Sequence, residues 1–106
     1  MKIAVVSGGF DPIHSGHLEY INSAAMLADK LVVCLNSDDW LIKKKKRFFL
    51  PFHERKLILE NIKAVDNVIS FDLGKKFLTQ LRNLKKLYLF RMQIIIIFMN
   101  SMFLKK

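Results

Sequence analysis

Two histidines stand three residues apart, directly after a glycine-rich turn. Gly8 and Gly9 follow a short apolar run, and His14 and His17 flank Gly16 where a segment of helical period begins. Residues three apart share one helix face, so both imidazoles can reach one ligand. Glycines let the backbone approach a ligand closely, and a helix N-terminus favours an anion. The pattern indicates a phosphate site in which imidazoles donate hydrogen bonds to phosphate oxygens.

On spacing alone, other interpretations of these residues remain open. The histidines could be two ordinary surface residues or a pair that binds a metal ion. A metal site would need a third ligand nearby, and Asp11 is the one candidate. The basic run Lys43–Arg47 also allows two interpretations. It could bind phosphate groups, or it could be solvated surface, as most charge runs are. Trp40, beside that run, is expected in the core of the second crossover rather than stacked on a base.

Continuous apolar runs alternate with segments of helical period along the chain. Strands are predicted at Lys2–Val6, Leu31–Leu35, Val68–Phe71 and, in a β-prone run, Ile94–Phe98. Helices are predicted from Gly16 to Ala28, after Pro51, and from Lys75 to Leu87. Asn36–Asp39 reads as a polar turn. The inward faces of the first two helices are predicted to consist of Leu18, Ile21, Ala25 and Ala28, and of Leu57, Ile58, Ile62 and Val65.

The alternation implies βαβ units and a parallel sheet that is covered on both faces. Right-handed crossovers then favour a Rossmann-like, three-layer α/β/α architecture. Such sheets bind ligands beyond the carboxyl ends of their strands. The segments at 7–17 and 36–47 both lie there, so His14, His17, Lys44 and Lys46 are predicted to converge on one cleft.

The composition limits the classes of protein to consider. The 106 residues suit one domain, and 52% of them are hydrophobic, enough for a packed core. The net charge of +9 is uneven: residues 1–73 hold ten basic and nine acidic side chains, and residues 74–106 hold eight basic and no acidic ones. This split argues against a nucleic-acid-binding surface. The single cysteine, Cys34, is expected to be a buried inert thiol, and a cytoplasmic, reducing setting is expected.

A longer string around the histidines resembles a known family. The residues Gly9-Phe10-Asp11-Pro12-Ile13-His14-Ser15-Gly16-His17 contain an HxGH pattern and resemble the cytidylyltransferase-like branch of the nucleotidyltransferases. The similarity continues through 36–41, the lysine cluster and 53–60, and it ends near residue 69. It covers about two-thirds of the chain, and an ordered set of motifs is far more specific than HxGH alone.

The resemblance implies a reaction and a set of site residues. A nucleotidyl group, CMP or AMP, would pass from CTP or ATP to a small phosphorylated alcohol or sugar, with release of pyrophosphate. The implied catalytic residues are His14, His17 and Lys46, and the nucleotide would also contact Gly8, Gly9, Phe10 and Asp11. The implied contacts of the second substrate are Lys44, Asp38 and Arg55. Mg²⁺ would accompany the triphosphate with no metal ligand assigned to the chain, and a homodimer is compatible with the family.

Residues 74–106 depart from the family pattern, which continues with a Gly/Asp-rich segment and a later Arg-containing helix start. The predicted division is a nucleotide-binding core at 1–73 and a divergent basic and apolar tail at 74–106 that adds one helix and one strand. A truncated or frame-disrupted enzyme with weak triphosphate binding and poor turnover is expected, and an inactive nucleotide-binding remnant is the alternative. A transmembrane helix over 87–104 is not expected, because the central Arg91 would cost about 2.5–3.5 kcal/mol.

Overall fold

The computed structural model of the chain describes residues 2–70 and 93–98. Its elements in chain order are β1 (Lys2–Gly8), α1 (Ser15–Ala25), β2 (Lys30–Leu35), α2 (Asp38–Lys45), α3 (Phe52–Glu60), β3 (Asn67–Ser70) and β4 (Gln93–Phe98). The strands form one parallel sheet in the order β3-β2-β1-β4. The predicted α/β fold with a parallel sheet is confirmed.

From β1 the chain first adds strands on one side of the sheet, β2 and then β3, and later adds β4 on the other side. β1 thus pairs with β2 on one side and with β4 on the other, so Ala4 lies between Leu31 and Ile95. β1 runs two residues further than predicted, because Ser7 and Gly8 still pair with Cys34 and Leu35. In open α/β sheets, the crevice beyond the carboxyl ends of the strands at such a change of side is where ligands bind.

Both faces of β1 and β2 are buried, as continuous apolar runs predict. On one face, the core joins side chains of β1 and β2 to α1, α3 and β3; it consists of Ala4, Val6, Phe10, Tyr20, Ile21, Ala24, Leu31, Val33, Leu35, Leu59 and Val68. The alternate strand residues on the other face are equally buried: Ile3, Val5, Val32 and Cys34. The α1 side chains of this core recur at the three- and four-residue spacing of a helix face.

Two aspartates hold the amino ends of neighbouring strands through the same reciprocal pair of hydrogen bonds. Asp29 donates its N–H to the Lys2 carbonyl at 2.9 Å, and its carboxylate accepts the Lys2 N–H at 2.8 Å. Asp66 repeats this reciprocal pair with Leu31, at 2.9 and 2.8 Å. Each pair satisfies backbone groups just outside the ladder, where an unpaired group would weaken the sheet edge.

Two details of α2 and α3 correct the sequence-based predictions. The predicted polar turn at 36–39 is wrong for Asp38 and Asp39, which form the first turn of α2 after the N-cap residue Ser37. Leu57 and Ile58, predicted to face inward, are 57% and 37% exposed, and the buried residues of α3 are Arg55 and Leu59.

The first helix also differs from its predicted limits, since α1 ends at Ala25 and Leu18 is 41% exposed. The helix predicted from Lys75 to Leu87 and the boundary proposed at 73/74 lie outside the described residues. Among residues 2–70 and 93–98, no helix is long and apolar enough to cross a membrane.

Candidate functional site

A cleft of about 430 Å³ opens beyond the carboxyl ends of β1 and β2. One wall is the turn between β1 and α1, and the other is α2. The lining residues are Ser7, Gly8, Gly9, Phe10, Asp11, Pro12, His14, His17, Trp40, Leu41, Lys44 and Lys45. This volume lies within the range of small-molecule sites, about 300–1,000 Å³.

The two walls approach each other closely at Gly9. A Cβ atom on Gly9 would lie 2.6 Å from Cδ2 of Leu41, the buried residue of α2, so a side chain here would force Leu41 to shift. The next residue, Phe10, has a φ of 48° and turns the chain sharply after β1. A bulky residue seldom adopts this conformation, but the Phe10 ring is buried and lies 5.1 Å from the ring of His17.

The two histidines are fixed by hydrogen bonds to the backbone at the start of α1. His14 is the N-cap residue, and its Nδ1 accepts the N–H of Gly16 at 3.0 Å. The Nδ1 of His17 accepts the N–H of His14 at 3.1 Å. A ring nitrogen that accepts a hydrogen bond carries no proton, so each neutral ring keeps its proton on Nε2. The rings lie 4.0 Å apart and offer two Nε2–H donors at one place.

The environment of His17 favours the neutral ring. Burial is the largest cause that lowers its pKa below the usual 6.5, and the neighbouring charges of His14 and Lys45 lower it further. The imidazolium form would also lose the hydrogen bond from the His14 N–H, because Nδ1 would then carry a proton. His17 is therefore a neutral hydrogen-bond donor at physiological pH, of the kind that stabilises charge on a phosphate oxygen.

The opposite wall carries two lysines on one face of α2. Ser37 caps this helix by accepting the Trp40 N–H at 3.1 Å, and Leu41 anchors it in the core. Lys44 and Lys45 follow Leu41 by three and four residues and so lie on the same side of the helix as this anchor. Trp40, expected in the core, is half-buried and lines the cleft, with the Lys44 ammonium 5.4 Å from its ring centroid.

Asp11 joins the first wall to the loop after α2. Its side chain is fully buried, and its two carboxylate oxygens accept the backbone N–H groups of Phe49 and Leu50 at 2.7 and 2.8 Å. Lys45 Nζ lies 3.6 Å from the same carboxylate. Asp11 thus lines the cleft with its oxygens already engaged, which leaves it poorly suited to act as a metal ligand.

Arg55 lies beneath both walls with its side chain fully buried. Its guanidinium donates hydrogen bonds to the carbonyl oxygens of Leu50, Gly9 and Asn36 at 2.8–2.9 Å and to the Asp38 carboxylate at 2.6 Å. These four acceptors belong to the turn after β1, the start of α2 and the loop before α3. One planar side chain therefore holds together the turn after β1, the start of α2 and the loop before α3.

The structure brings most of the predicted site residues together, with three exceptions. Lys46 has a φ of 72° at the C-terminus of α2, is exposed and is not among the residues that line the cleft. Arg55 and Asp38 bind each other beneath the cleft and do not line it. The sequence analysis gave no role to Lys45, although the three- and four-residue spacing from Leu41 would have placed it beside Lys44.

Other groups near the sheet have simpler roles. Burial raises the pKa of the Cys34 thiol to about 12, so it stays protonated and inert, as expected from the sequence. Among residues 2–70 and 93–98, no three side chains of His, Cys, Asp or Glu gather where they could hold a metal ion. The chain therefore offers no carboxylate cage for Mg²⁺ in these segments.

Comparisons with known proteins match this fold and these residues. A family profile described as cytidylyltransferase-like matches residues 5–101. Glycerol-3-phosphate cytidylyltransferase of Bacillus subtilis is 41% identical over 69 residues, which cover 65% of this chain and 54% of that protein. The bifunctional protein HldE of Helicobacter hepaticus is 44% identical over 72 residues, which cover 66% of this chain and 15% of that protein. The chain thus spans about half the length of the first relative and a small part of the second.

A solved structure extends the likeness to nearly all of the chain. The lipopolysaccharide core biosynthesis protein of Thermoplasma volcanium has a TM-score of 0.72 and 22% identity, with 92% of this chain and 96% of that chain covered. At this identity the likeness shows the fold alone. The family profile covers most of the chain and includes the glycine turn, the histidine pair and the lysines of α2. The chain belongs to the cytidylyltransferase-like family of nucleotidyltransferases.

Proposed function

We propose that this chain transfers a nucleotidyl group from a nucleoside triphosphate to a small phosphorylated substrate and releases pyrophosphate. The observation that carries the proposal is the histidine pair, which presents two Nε2–H donors at the start of α1, opposite Lys44 and Lys45. Imidazole N–H donors and ammonium groups on facing walls suit a ligand that has several phosphate groups. Family membership indicates which reaction such a cleft performs.

The chemistry asked of the chain is positioning and charge stabilisation. A phosphate oxygen of the acceptor attacks the α-phosphorus, the bond from that phosphorus to the bridging oxygen breaks, and pyrophosphate leaves with the bonding electrons. His14 and His17 would donate to oxygens on which negative charge grows, and Lys44 of α2 would hold a phosphate group against the opposite wall. Mg²⁺ would arrive with the triphosphate and be held mainly by phosphate oxygens.

CTP is the proposed donor, and AMP transfer from ATP is the alternative within the same reaction. The choice rests on the cytidylyltransferase of Bacillus subtilis, which shares 41% of its residues with this chain over the matched segment. The name of that relative also makes a phosphorylated alcohol such as glycerol 3-phosphate the first acceptor to try. Lys46, Asp38 and Arg55 keep their proposed roles in nucleotide and acceptor binding only as hypotheses, because they do not line the cleft.

The test is pyrophosphate release by the purified chain with CTP or ATP and a panel of phosphorylated alcohols and sugars. Replacement of His14 or His17 by glutamine should lower the turnover by about 10²–10³, the usual loss when one such donor is removed. His53→Gln is the matched control, since the His53 side chain is 79% exposed and does not line the cleft. Triphosphate binding without pyrophosphate release would instead support a nucleotide-binding protein that has lost catalysis.

A further inference from the structure

Lys45, at the end of α2, joins the two walls of the cleft through Asp11. Its Nζ donates a hydrogen bond to the Asp11 carbonyl at 2.8 Å and lies 3.6 Å from the Asp11 carboxylate. The Lys45 ammonium is also 5.8 Å from the ring centroid of Phe49, whose N–H binds the same carboxylate. The last residue of α2, the Asp11 turn and the loop after α2 therefore meet at one point.

The need for a cation at this point follows from the burial of Asp11. The Asp11 side chain is fully buried, and a buried carboxylate is costly unless hydrogen bonds and an opposite charge compensate it. Two backbone N–H groups supply the hydrogen bonds. Within residues 2–70 and 93–98, Lys45 is the basic side chain within 4 Å of the carboxylate.

We propose that Lys45 is a positioning residue, which clamps the end of α2 onto the Asp11 turn and so sets the distance between the lysines and the histidine pair. The identification of the ligand as a phosphate compound rests on the proposed function. The positioning role of Lys45 does not depend on it. Lys46, directly after the clamp, adopts the left-handed conformation that ends α2. Lys45 is thus the last helical residue, and holding it fixes the whole last turn, including Lys44.

The position of Lys45 also has an electrostatic effect on His17. The charged and titratable groups that act on His17 are His14 on its own helix and Lys45 on α2, and Lys44 lines the same cleft. The Lys45 charge lowers the pKa of His17 and thus supports the neutral donor form. Removal of this charge should raise the pKa of His17, an effect that a purely steric prop would not produce.

The main experiment compares Lys45→Gln, Lys45→Arg and the control Lys43→Gln, which alters an exposed lysine of the same helix outside the cleft. Trp40 is the only tryptophan of the chain and lines the cleft, so its fluorescence can report the binding of inorganic pyrophosphate. We expect Lys45→Gln to weaken binding by about threefold to tenfold. Lys45→Arg should restore most of the affinity, and Lys43→Gln should leave it unchanged.

Two ligand-free measurements separate positioning from direct ligand contact. In NMR titrations, His17 should have a higher pKa in Lys45→Gln than in the wild type or in Lys43→Gln. In a double-mutant cycle with Asp11→Asn, the two changes should be coupled by about threefold or more in the folding constant. Weakened pyrophosphate binding without either effect would make Lys45 a ligand contact and overturn the clamp, as would no change in any of the three measurements.

A failure of the proposed nucleotidyl transfer and a failure of the Lys45 clamp would give different results. If the wild-type chain binds neither pyrophosphate nor CTP, the proposed function fails. The His17 titration and the double-mutant cycle still decide the clamp in that case, because neither needs a ligand. If the wild type binds and only the clamp measurements fail, the proposed function stands and Lys45 has no positioning role.

Discussion

The two walls of the cleft hold their charged or polar groups in different ways. On the wall between β1 and α1, both imidazoles are fixed by backbone N–H groups, and the His17 residue is only 9% exposed. On the α2 wall the lysines are exposed; the Lys45 side chain is 42% exposed and makes its polar contacts with Asp11. Beneath both, the Arg55 side chain is fully buried and donates hydrogen bonds to four oxygen acceptors.

The difference separates three uses of basic side chains within one small site. Fixed N–H donors need no reorganisation when charge develops, so they suit the reacting centre. An exposed ammonium group such as that of Lys44 can follow a ligand whose shape varies, so it suits substrate recognition. A buried guanidinium supports the backbone that carries both. The following predictions test this division, and the expected effects decrease from one to the next.

Arg55→Met should produce the largest effect because it removes the support beneath both walls. Truncation of a buried charged partner leaves Asp38 and three carbonyl oxygens without their donor, which costs about 3–5 kcal/mol. Urea unfolding followed by circular dichroism measures this loss. Lys63→Met, at an exposed position, is the control and should change the free energy of unfolding by less than about 0.5 kcal/mol. An Arg55→Met protein as stable as the wild type would show that the walls are held from elsewhere.

Gly9→Ala should force the walls apart where they touch. The new methyl group would lie 2.6 Å from Leu41 Cδ2, and overpacking of this kind costs about 1–3 kcal/mol. The double variant Gly9→Ala/Leu41→Val removes the δ carbon that clashes, so it should be more stable than the sum of the two single changes allows. Strict additivity in the unfolding free energies would contradict the close approach.

Lys44→Gln should weaken ligand binding and leave the fold intact. Lys44 is exposed, and its contact within residues 2–70 is a weak one, with the ring of Trp40, so the stability should change by less than about 0.5 kcal/mol. The affinity for pyrophosphate should fall by about threefold to tenfold, and its dependence on salt should become weaker. Calorimetric titrations at two salt concentrations measure both. A large loss of stability with unchanged affinity would assign Lys44 to the support of the wall instead.

The smallest expected effect is a dependence of stability on pH that arises from His17. Its pKa is lowered in the folded chain, so the unfolded chain binds more protons below about pH 6.5. The contribution of neutral His17 to the free energy of unfolding is fully present above pH 6.5. It is lost as the pH falls from there through the pKa that His17 has in the folded chain. Urea unfolding at pH 7.5 and pH 5 should show this loss in the wild type and less of it in His17→Gln. An equal loss in both proteins would mean that other groups cause it.

β1 and β2 could be predicted from the sequence because each is a continuous apolar run whose residues are buried on both faces of the sheet. The helices were harder, and α2 shows why: Leu41 is its only buried residue, so no apolar period marks it. α3 shows a second reason. Its inward position at residue 55 is taken by an arginine, which no hydrophobic pattern can indicate, and Leu57 and Ile58 therefore turn outward.

For the candidate site, motif spacing identified the residues but could not assign their separate positions. The resemblance selected Lys44 and Lys46, whereas the end of α2 places Lys44 and Lys45 on the cleft and turns Lys46 away from the helix. The polar partners of Asp11 are 34 to 39 residues away in the chain, so its structural role depends on the folded chain and not on local sequence.

The strand order also has a consequence for how the chain is made. β1, the strand that leads into the histidine turn, finds its first partner within 30 residues, but its second partner is β4, some 90 residues further on. A ribosome that adds about 5–20 residues per second needs several seconds to cover that distance. For this time one edge of the apolar strand at the centre of the sheet stays open to pairing with other chains. The strand that carries the site is thus among the first segments made and the last to be enclosed.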